Sequence, residues 1–131
     1  MLLVHDAGPG AEIARPLLDG AGHLLPLTVE EVASLGMDLW ISALAYGARA
    51  VRLVGTDAVP RRSRREIDAQ LGYARGLLGG LGYPEEALGW LDGGADGLAP
   101  VMPELTPALH AATGHKRQIL FSALDHLFAV A

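Results

Sequence analysis

Residues 24–54, LLPLTVEEVASLGMDLWISALAYGARAVRLV, decide the fold that the sequence predicts. The apolar residues at its start predict the second strand of the chain, over His23–Leu27. A nearly uncharged helix is expected to follow, with Gly47 as the left-handed residue that ends it. Another strand, the third of the chain, is expected over Ala50–Val54. Strand, helix and strand in this order predict one βαβ unit, to which the rest of the chain is added.

Two capping boxes mark predicted helix starts. Thr28 with Glu31, and Ser63 with Glu66, have the spacing at which a hydroxyl covers an early helix amide and a carboxylate returns to the cap. The first is expected to open the helix of the central unit. The second is expected to open a helix that runs to about Gly80.

The segments on either side of this unit predict further strands and helices. A first strand is expected over Met1–Val4 and a fourth over Leu88–Leu91, because short apolar runs closed by turn residues are typical of buried parallel strands. Helices are expected over residues 11–18 and 116–130. Residues 95–110 predict a loop or a short helix.

Alternating strands and helices with short connections predict a parallel sheet wrapped by crossover helices. Pro26 has no amide to donate, so the second strand is expected at an edge of the sheet. The simplest strand order is then 2-1-3-4. The length of 131 residues suits one three-layer α/β domain over residues 1–131, of the flavodoxin-like or Rossmann-like class.

Composition excludes several classes of function. The chain has no cysteine, which excludes disulfides, thiolate nucleophiles and iron–sulfur clusters held by its own thiolates. Its net charge of −5 argues against general nucleic-acid binding. No apolar stretch approaches the roughly 20 residues of a membrane span, and the first residues lack the basic region of a signal peptide. The sequence therefore predicts a cytoplasmic protein without membrane insertion.

Turn residues at the ends of the predicted strands outline a candidate ligand crevice. In open parallel sheets, ligands bind where the strand order reverses, which is here between strands 1 and 3. The loop HDAGPG lacks the third glycine of a dinucleotide fingerprint and the Lys-Ser/Thr of a P-loop, which favours the interpretation that its glycines only make tight turns. The candidate ligand-binding residues are His5, Asp6, Gly8, Gly10, Gly55, Thr56, Asp57 and Asp92.

Acidic residues at three strand ends also suit a magnesium ion. Asp is a common turn residue as well, so no metal ligand is assigned. The chain has no GxSxG or HExxH motif and no carboxylate pair at a convincing catalytic spacing. No catalytic residue is assigned, and a catalytic activity of its own is not expected.

Basic residues lie at the starts of two predicted helices, where the helix macrodipole disfavours cations. Local stability therefore does not explain them. They form either an ordinary solvated surface or a surface that binds an anion or an acidic partner. The candidate partner-docking residues are Arg61, Arg62, Arg64, Arg65, Lys116 and Arg117.

Three segments of the chain, residues 25–54, 67–83 and 114–127, resemble a region of bacterial ferredoxin-like proteins with 4Fe–4S dicluster modules. That region is distantly similar to the delta subunit of methyl-viologen-reducing hydrogenases. The resemblance implies a non-catalytic accessory or docking domain that serves an iron–sulfur electron-transfer protein or a redox enzyme subunit. Delta subunits carry cysteines that this chain lacks, so any 4Fe–4S clusters are expected on a partner or a neighbouring module and no cofactor on this chain. The alternative is a small-ligand or nucleotide-binding module that uses the crevice between strands 1 and 3. An enzyme with carboxylates at the strand ends is the third and least favoured function.

Overall fold

The computed structural model describes residues 1–20, 24–30, 32, 36–92, 102 and 116–131. Within these residues, four parallel strands form one sheet in the order β2-β1-β3-β4, which confirms the predicted order. The strands are β1 (Leu2–Asp6), β2 (Leu25–Val29), β3 (Val51–Val54) and β4 (Leu88–Leu91). The described α-helices are α1 (Pro9–Gly20), α2 (Met37–Ala45), α3 (Arg61–Gly80) and α4 (Lys116–Ala129), and a short 3₁₀ helix (Glu85–Ala87) precedes β4.

Helices cover both faces of the sheet, which confirms the predicted three-layer α/β architecture. The larger core lies between one face and the helices α2, α3 and α4, and the side chains of Trp40, Leu71 and Leu127 are buried in it. The smaller core lies under α1, where Leu3 packs near Ala14. The arrangement is consistent with a flavodoxin-like or Rossmann-like fold.

The strand β2 lies at an edge of the sheet, as Pro26 predicts. The Leu25 amide donates to the Met1 carbonyl at 2.8 Å, so the nitrogen of Pro26 points away from β1, where no donor is needed. β2 extends further than expected, and Thr28 pairs with His5 inside the sheet. The predicted capping box at Thr28 is therefore wrong, because this residue continues a strand. Its partner, Glu31, lies outside the described residues.

The helices α2 and α3 begin without side-chain caps. They follow Gly36 and Pro60, and neither residue covers a helix amide with its side chain. The carbonyl of Pro60 accepts a hydrogen bond from the Arg64 amide at 2.9 Å, so α3 is already helical at Ser63. The capping box predicted at Ser63 and Glu66 is wrong, because α3 begins at Arg61 and Ser63 already lies in its first turn.

Glycine residues end α2 and α3, as the sequence predicts. Gly47 and Gly82 have φ angles of 108° and 88°, in the left-handed region that favours glycine. After α2, the Ala48 amide donates to the Ala43 carbonyl at 2.9 Å, which is the 6→1 hydrogen bond of a Schellman motif. This bond satisfies a carbonyl that the helix end would otherwise leave without a partner.

The remaining elements agree with the predicted order. β3 and β4 lie where they were expected, and β1 continues through His5 and Asp6. The loop or short helix predicted over residues 95–110 lies outside the described residues. None of the helices that the structure describes has both the length and the apolar character needed to cross a membrane.

Candidate functional site

The loop after β1 folds around the carboxylate of Asp6. The Oδ1 atom accepts hydrogen bonds from the amides of Gly8 and Gly10, at 2.8 and 2.9 Å. The Asp6 residue is only 7% exposed. Amides at a helix N-terminus are the groups that bind phosphate in dinucleotide-binding loops, and here the chain's own carboxylate engages two of them. The Asp6 carboxylate therefore caps the N-terminus of α1.

The side chain of His5 is held inside the edge of the sheet. Its Nδ1 lies 2.7 Å from the Asp6 carbonyl oxygen, and its Nε2 lies 3.5 Å from Oγ1 of Thr28 on β2. A carbonyl oxygen only accepts, so Nδ1 carries the proton of this hydrogen bond. His5 is 6% exposed. The contacts give it a structural role between β1 and β2.

A cavity of about 240 Å³ lies beyond the carboxyl ends of β1 and β2. Asp6 and Gly8 of the predicted crevice line it, together with Glu30, Val32 and residues 58–60. Drug-sized ligands occupy cavities of roughly 300–1,000 Å³, so this one is small for a nucleotide. The other predicted crevice residues are not among its described lining residues: His5, Gly10, Gly55, Thr56, Asp57 and Asp92.

At the end of β4, Asp92 and Arg64 form an ion pair. One nitrogen of Arg64, Nη2, donates to Oδ1 and Oδ2 of Asp92 at 2.9 and 2.8 Å. The same guanidinium group lies 4.3 Å from the centroid of a Trp90 ring, and the Trp90 indole donates to Asp68 at 2.8 Å. One predicted crevice residue and one predicted docking residue therefore belong to the same cluster, which is called the Arg64 cluster below.

The loop after β3 lies beside the Arg64 cluster. A Cβ atom at Gly55 would lie 2.3 Å from Oδ1 of Asp92, so a larger residue here would displace the Asp92 carboxylate from its present position. The Oγ1 atom of Thr56 accepts a hydrogen bond from the Ala58 amide at 3.2 Å and stabilises the turn. Asp57 is exposed. These contacts give Gly55 and Thr56 a structural role in shaping the loop.

The described side chains do not assemble a metal site. Among them, no group of three or more His, Asp or Glu side chains comes close enough to hold a metal ion. Two of the acidic residues at strand ends already have other partners, since Asp6 accepts from loop amides and Asp92 pairs with Arg64.

The basic residues at the start of α3 differ in what they contact. Arg64 belongs to its cluster, whereas Arg61, Arg62 and Arg65 are exposed. Arg62 lies 3.9 Å from the carboxylate of Glu66, and the two side chains are 93% and 69% exposed. Such a long and solvated contact contributes little. Arg61, Arg62 and Arg65 are together called the α3 basic surface below.

Three further basic residues belong to neither the Arg64 cluster nor the α3 basic surface: Lys116, Arg117 and Arg52. Lys116 and Arg117 begin α4, and their side chains lie outside what the structure describes. Arg52 is buried inside β3 and is not among the site residues predicted from the sequence. The available signal was a charged residue inside the apolar run of a predicted strand, since buried arginine is rare.

Comparison with models of known protein families finds no match, and comparison with curated proteins finds none either. The resemblance to ferredoxin-like proteins and hydrogenase delta subunits therefore stays a prediction.

Proposed function

We propose that this chain is a non-catalytic docking module that binds an acidic surface of an iron–sulfur electron-transfer protein. The observation that carries the proposal is the α3 basic surface. Arg61, Arg62 and Arg65 are exposed on the first turns of one helix. Among the described residues, their shortest contact with a carboxylate is the 3.9 Å contact of Arg62.

The position of this surface strengthens its attraction for anions. The first amides of a helix carry partial positive charge, so cations placed there lower the stability of the helix and raise the local positive potential. α3 has no acidic residue in its first turn to offset them. A partner that brings carboxylates to this surface would pair with guanidinium groups and interact favourably with the macrodipole.

The iron–sulfur character of the partner rests on the resemblance of residues 25–54, 67–83 and 114–127. Because the chain has no cysteine, the clusters would be held by the partner or by a neighbouring module. Electron transfer would then take place in the partner, and this chain would contribute recognition.

A second candidate function is small-ligand binding, which is favoured by the cavity of about 240 Å³ beside Asp6. Two observations weigh against a nucleotide as the ligand. The cavity is small, and the amides of Gly8 and Gly10 already donate to Asp6. Thermal unfolding with and without a nucleotide or a flavin separates the two functions, since a ligand of the folded state raises the melting temperature by mass action.

The docking proposal is tested with charge-reversal variants. The probe is an acidic ferredoxin that carries two 4Fe–4S clusters, and binding is measured over a range of salt concentrations. We expect the combined change Arg61→Glu, Arg62→Glu and Arg65→Glu to weaken binding by about tenfold or more. The melting temperature should not fall, because acidic residues are favourable near the start of a helix.

The matched control is Arg15→Glu compared with the single change Arg62→Glu. Both remove one exposed arginine, but Arg15 lies on α1, across the sheet from α3. Only Arg62→Glu should weaken binding. Unchanged binding by the triple variant, or an equal loss with Arg15→Glu, would contradict docking through the α3 basic surface.

A further inference from the structure

A second pocket lies at the edge of the sheet formed by β4, toward the amino ends of β3 and β4. Its volume is about 430 Å³, which is within the range of roughly 300–1,000 Å³ for small-molecule sites. It shares no described lining residue with the cavity beside Asp6. The charged side chains that line it are those of Arg52, Arg75, Glu85 and Glu86.

Arg52 is the buried group of this pocket, at 6% exposed. Its Nη1 donates to the Val51 carbonyl at 3.1 Å, and its Nη2 donates to the Glu86 carbonyl at 2.8 Å. These bonds fix the plane of the guanidinium group. Burial, and then the nearby charge of Arg75, lower the pKa of Arg52 from its ordinary value. An anion in the pocket would therefore stabilise the charged form.

Arg75 reaches the same pocket from α3. Its Nε and Nη2 donate to the carbonyl of Leu88, the first residue of β4, at 3.1 and 2.9 Å. Its remaining nitrogen, Nη1, donates to no acceptor among the described residues. The guanidinium is therefore anchored at one side and has donors left for a ligand.

The two guanidinium groups meet over Gly89. A Cβ atom at this position would lie 3.2 Å from Nη2 of Arg75 and 3.9 Å from Nη1 of Arg52. Because glycine has no side chain, both guanidinium groups can come this close to the strand. The positive charges of the two guanidinium groups repel each other at this distance. An anion bound between them would be attracted to both.

We propose that this pocket binds a small oxyanion, a carboxylate or a phosphate group, between Arg52 and Arg75 over Gly89. Guanidinium groups match both oxyanions because their planar donors bond two oxygens at once. Glu85 and Glu86 are exposed and line the same pocket, so their charges disfavour a large polyanion. The site therefore selects a small ligand with one or two negative charges. This proposal does not depend on docking through the α3 basic surface.

The test is a titration of the purified chain with inorganic phosphate and, in a separate arm, with acetate. Sodium chloride keeps the ionic strength constant, and the arginine side-chain signals are followed by NMR. We expect millimolar or tighter binding in at least one arm, with shifts at the Nε signals of Arg52 and Arg75. The arm with the higher affinity identifies the oxyanion.

Two variants and a control make the test specific. Arg75→Gln removes one charge, and Gly89→Ala places a methyl group between the guanidinium groups, so each should weaken binding by about tenfold. Arg15→Gln, at an exposed position on α1 outside the pocket, should leave the affinity unchanged. No response to either anion, or an equal loss in Arg15→Gln and Arg75→Gln, would overturn the proposal.

Discussion

Arg64→Gln is expected to lower the stability of the fold, although Arg64 belongs to a run of arginines that otherwise face solvent. The change removes the charge that pairs with Asp92 and stacks on Trp90. Glutamine keeps the polarity and much of the length of the side chain. The neighbouring change Arg62→Gln removes the same charge from a side chain that is 93% exposed. The two variants therefore separate the Arg64 cluster from the α3 basic surface.

The size of the effect follows from the contacts of the cluster. The side chains of Arg64 and Asp92 are 35% and 57% exposed, so their ion pair belongs with partly solvated pairs that contribute about 0.2–1 kcal/mol. The guanidinium over the Trp90 ring, at 4.3 Å from its centroid, adds about 0.5–1 kcal/mol. We expect Arg64→Gln to lower the free energy of unfolding by about 1–1.5 kcal/mol.

Urea denaturation of four proteins measures this effect: the unchanged chain, Arg64→Gln, Asp92→Asn and the double variant. The double-mutant cycle should give a coupling of about 0.2–1 kcal/mol between Arg64 and Asp92. Arg62→Gln should leave the denaturation midpoint unchanged. In the ferredoxin binding assay the two variants should behave the other way round. Arg62→Gln should weaken binding, and Arg64→Gln should leave it unchanged.

Two results would refute this reasoning. One is a loss of stability in Arg64→Gln no larger than that in Arg62→Gln. The other is a coupling between Arg64 and Asp92 that is indistinguishable from zero.

Three further changes are expected to alter stability. Gly76→Ala should raise the free energy of unfolding by about 0.5–1 kcal/mol, measured by urea denaturation, because the added methyl group meets no atom within 4 Å and alanine favours a helix interior. Ser42→Ala should raise it by about 1 kcal/mol in the same assay, because the buried hydroxyl has no hydrogen-bond partner among the described residues. Tyr83→Phe should lower it by about 1 kcal/mol near neutral pH, because the phenol donates to the Leu127 carbonyl. Burial raises the pKa of Tyr83, so the stability that its neutral form contributes is complete below about pH 10 and is lost as the pH rises through the folded-state pKa. Thermal unfolding at increasing alkaline pH should show this decline in the unchanged chain and a weaker one in Tyr83→Phe.

Each of these expectations has an outcome that contradicts it. Loss of stability in Gly76→Ala would mean that the methyl group meets a neighbour. Loss of stability in Ser42→Ala would show that the hydroxyl has a hydrogen-bond partner. An alkaline decline that is the same with and without the Tyr83 hydroxyl would assign that decline to other groups.

Proline and glycine, whose backbone preferences differ from those of other residues, predicted much of the fold. Pro26 indicated the edge strand, because a missing amide is tolerated only where no neighbouring strand needs a donor. Gly47 indicated the end of α2, because its positive φ is unfavourable for other residues. Both arguments depend on the residue itself. The capping box predicted at Thr28 was wrong because threonine is also favourable in strands. Pairing of β2 with β1 decided that Thr28 continues a strand and does not cap a helix.

The candidate site was less predictable, because a side chain's partner depends on segments far apart in the chain. The sequence placed Asp6 and Asp92 correctly at strand ends, but it could not tell that Asp6 turns back to its own loop. It grouped Arg64 with its neighbours, whereas contact with Asp92, which is distant in sequence, separates them.

The residues 24–54 by themselves determined a βαβ unit, because apolar runs, proline and glycine act through the local backbone. Only the tertiary structure decided which charges face solvent and which come together in a pocket. Arg61, Arg62 and Arg65 face solvent, while Arg52 and Arg75 converge on Gly89. The physical reason is that electrostatic partners are chosen by distance in space, and those distances exist only after the strands have paired.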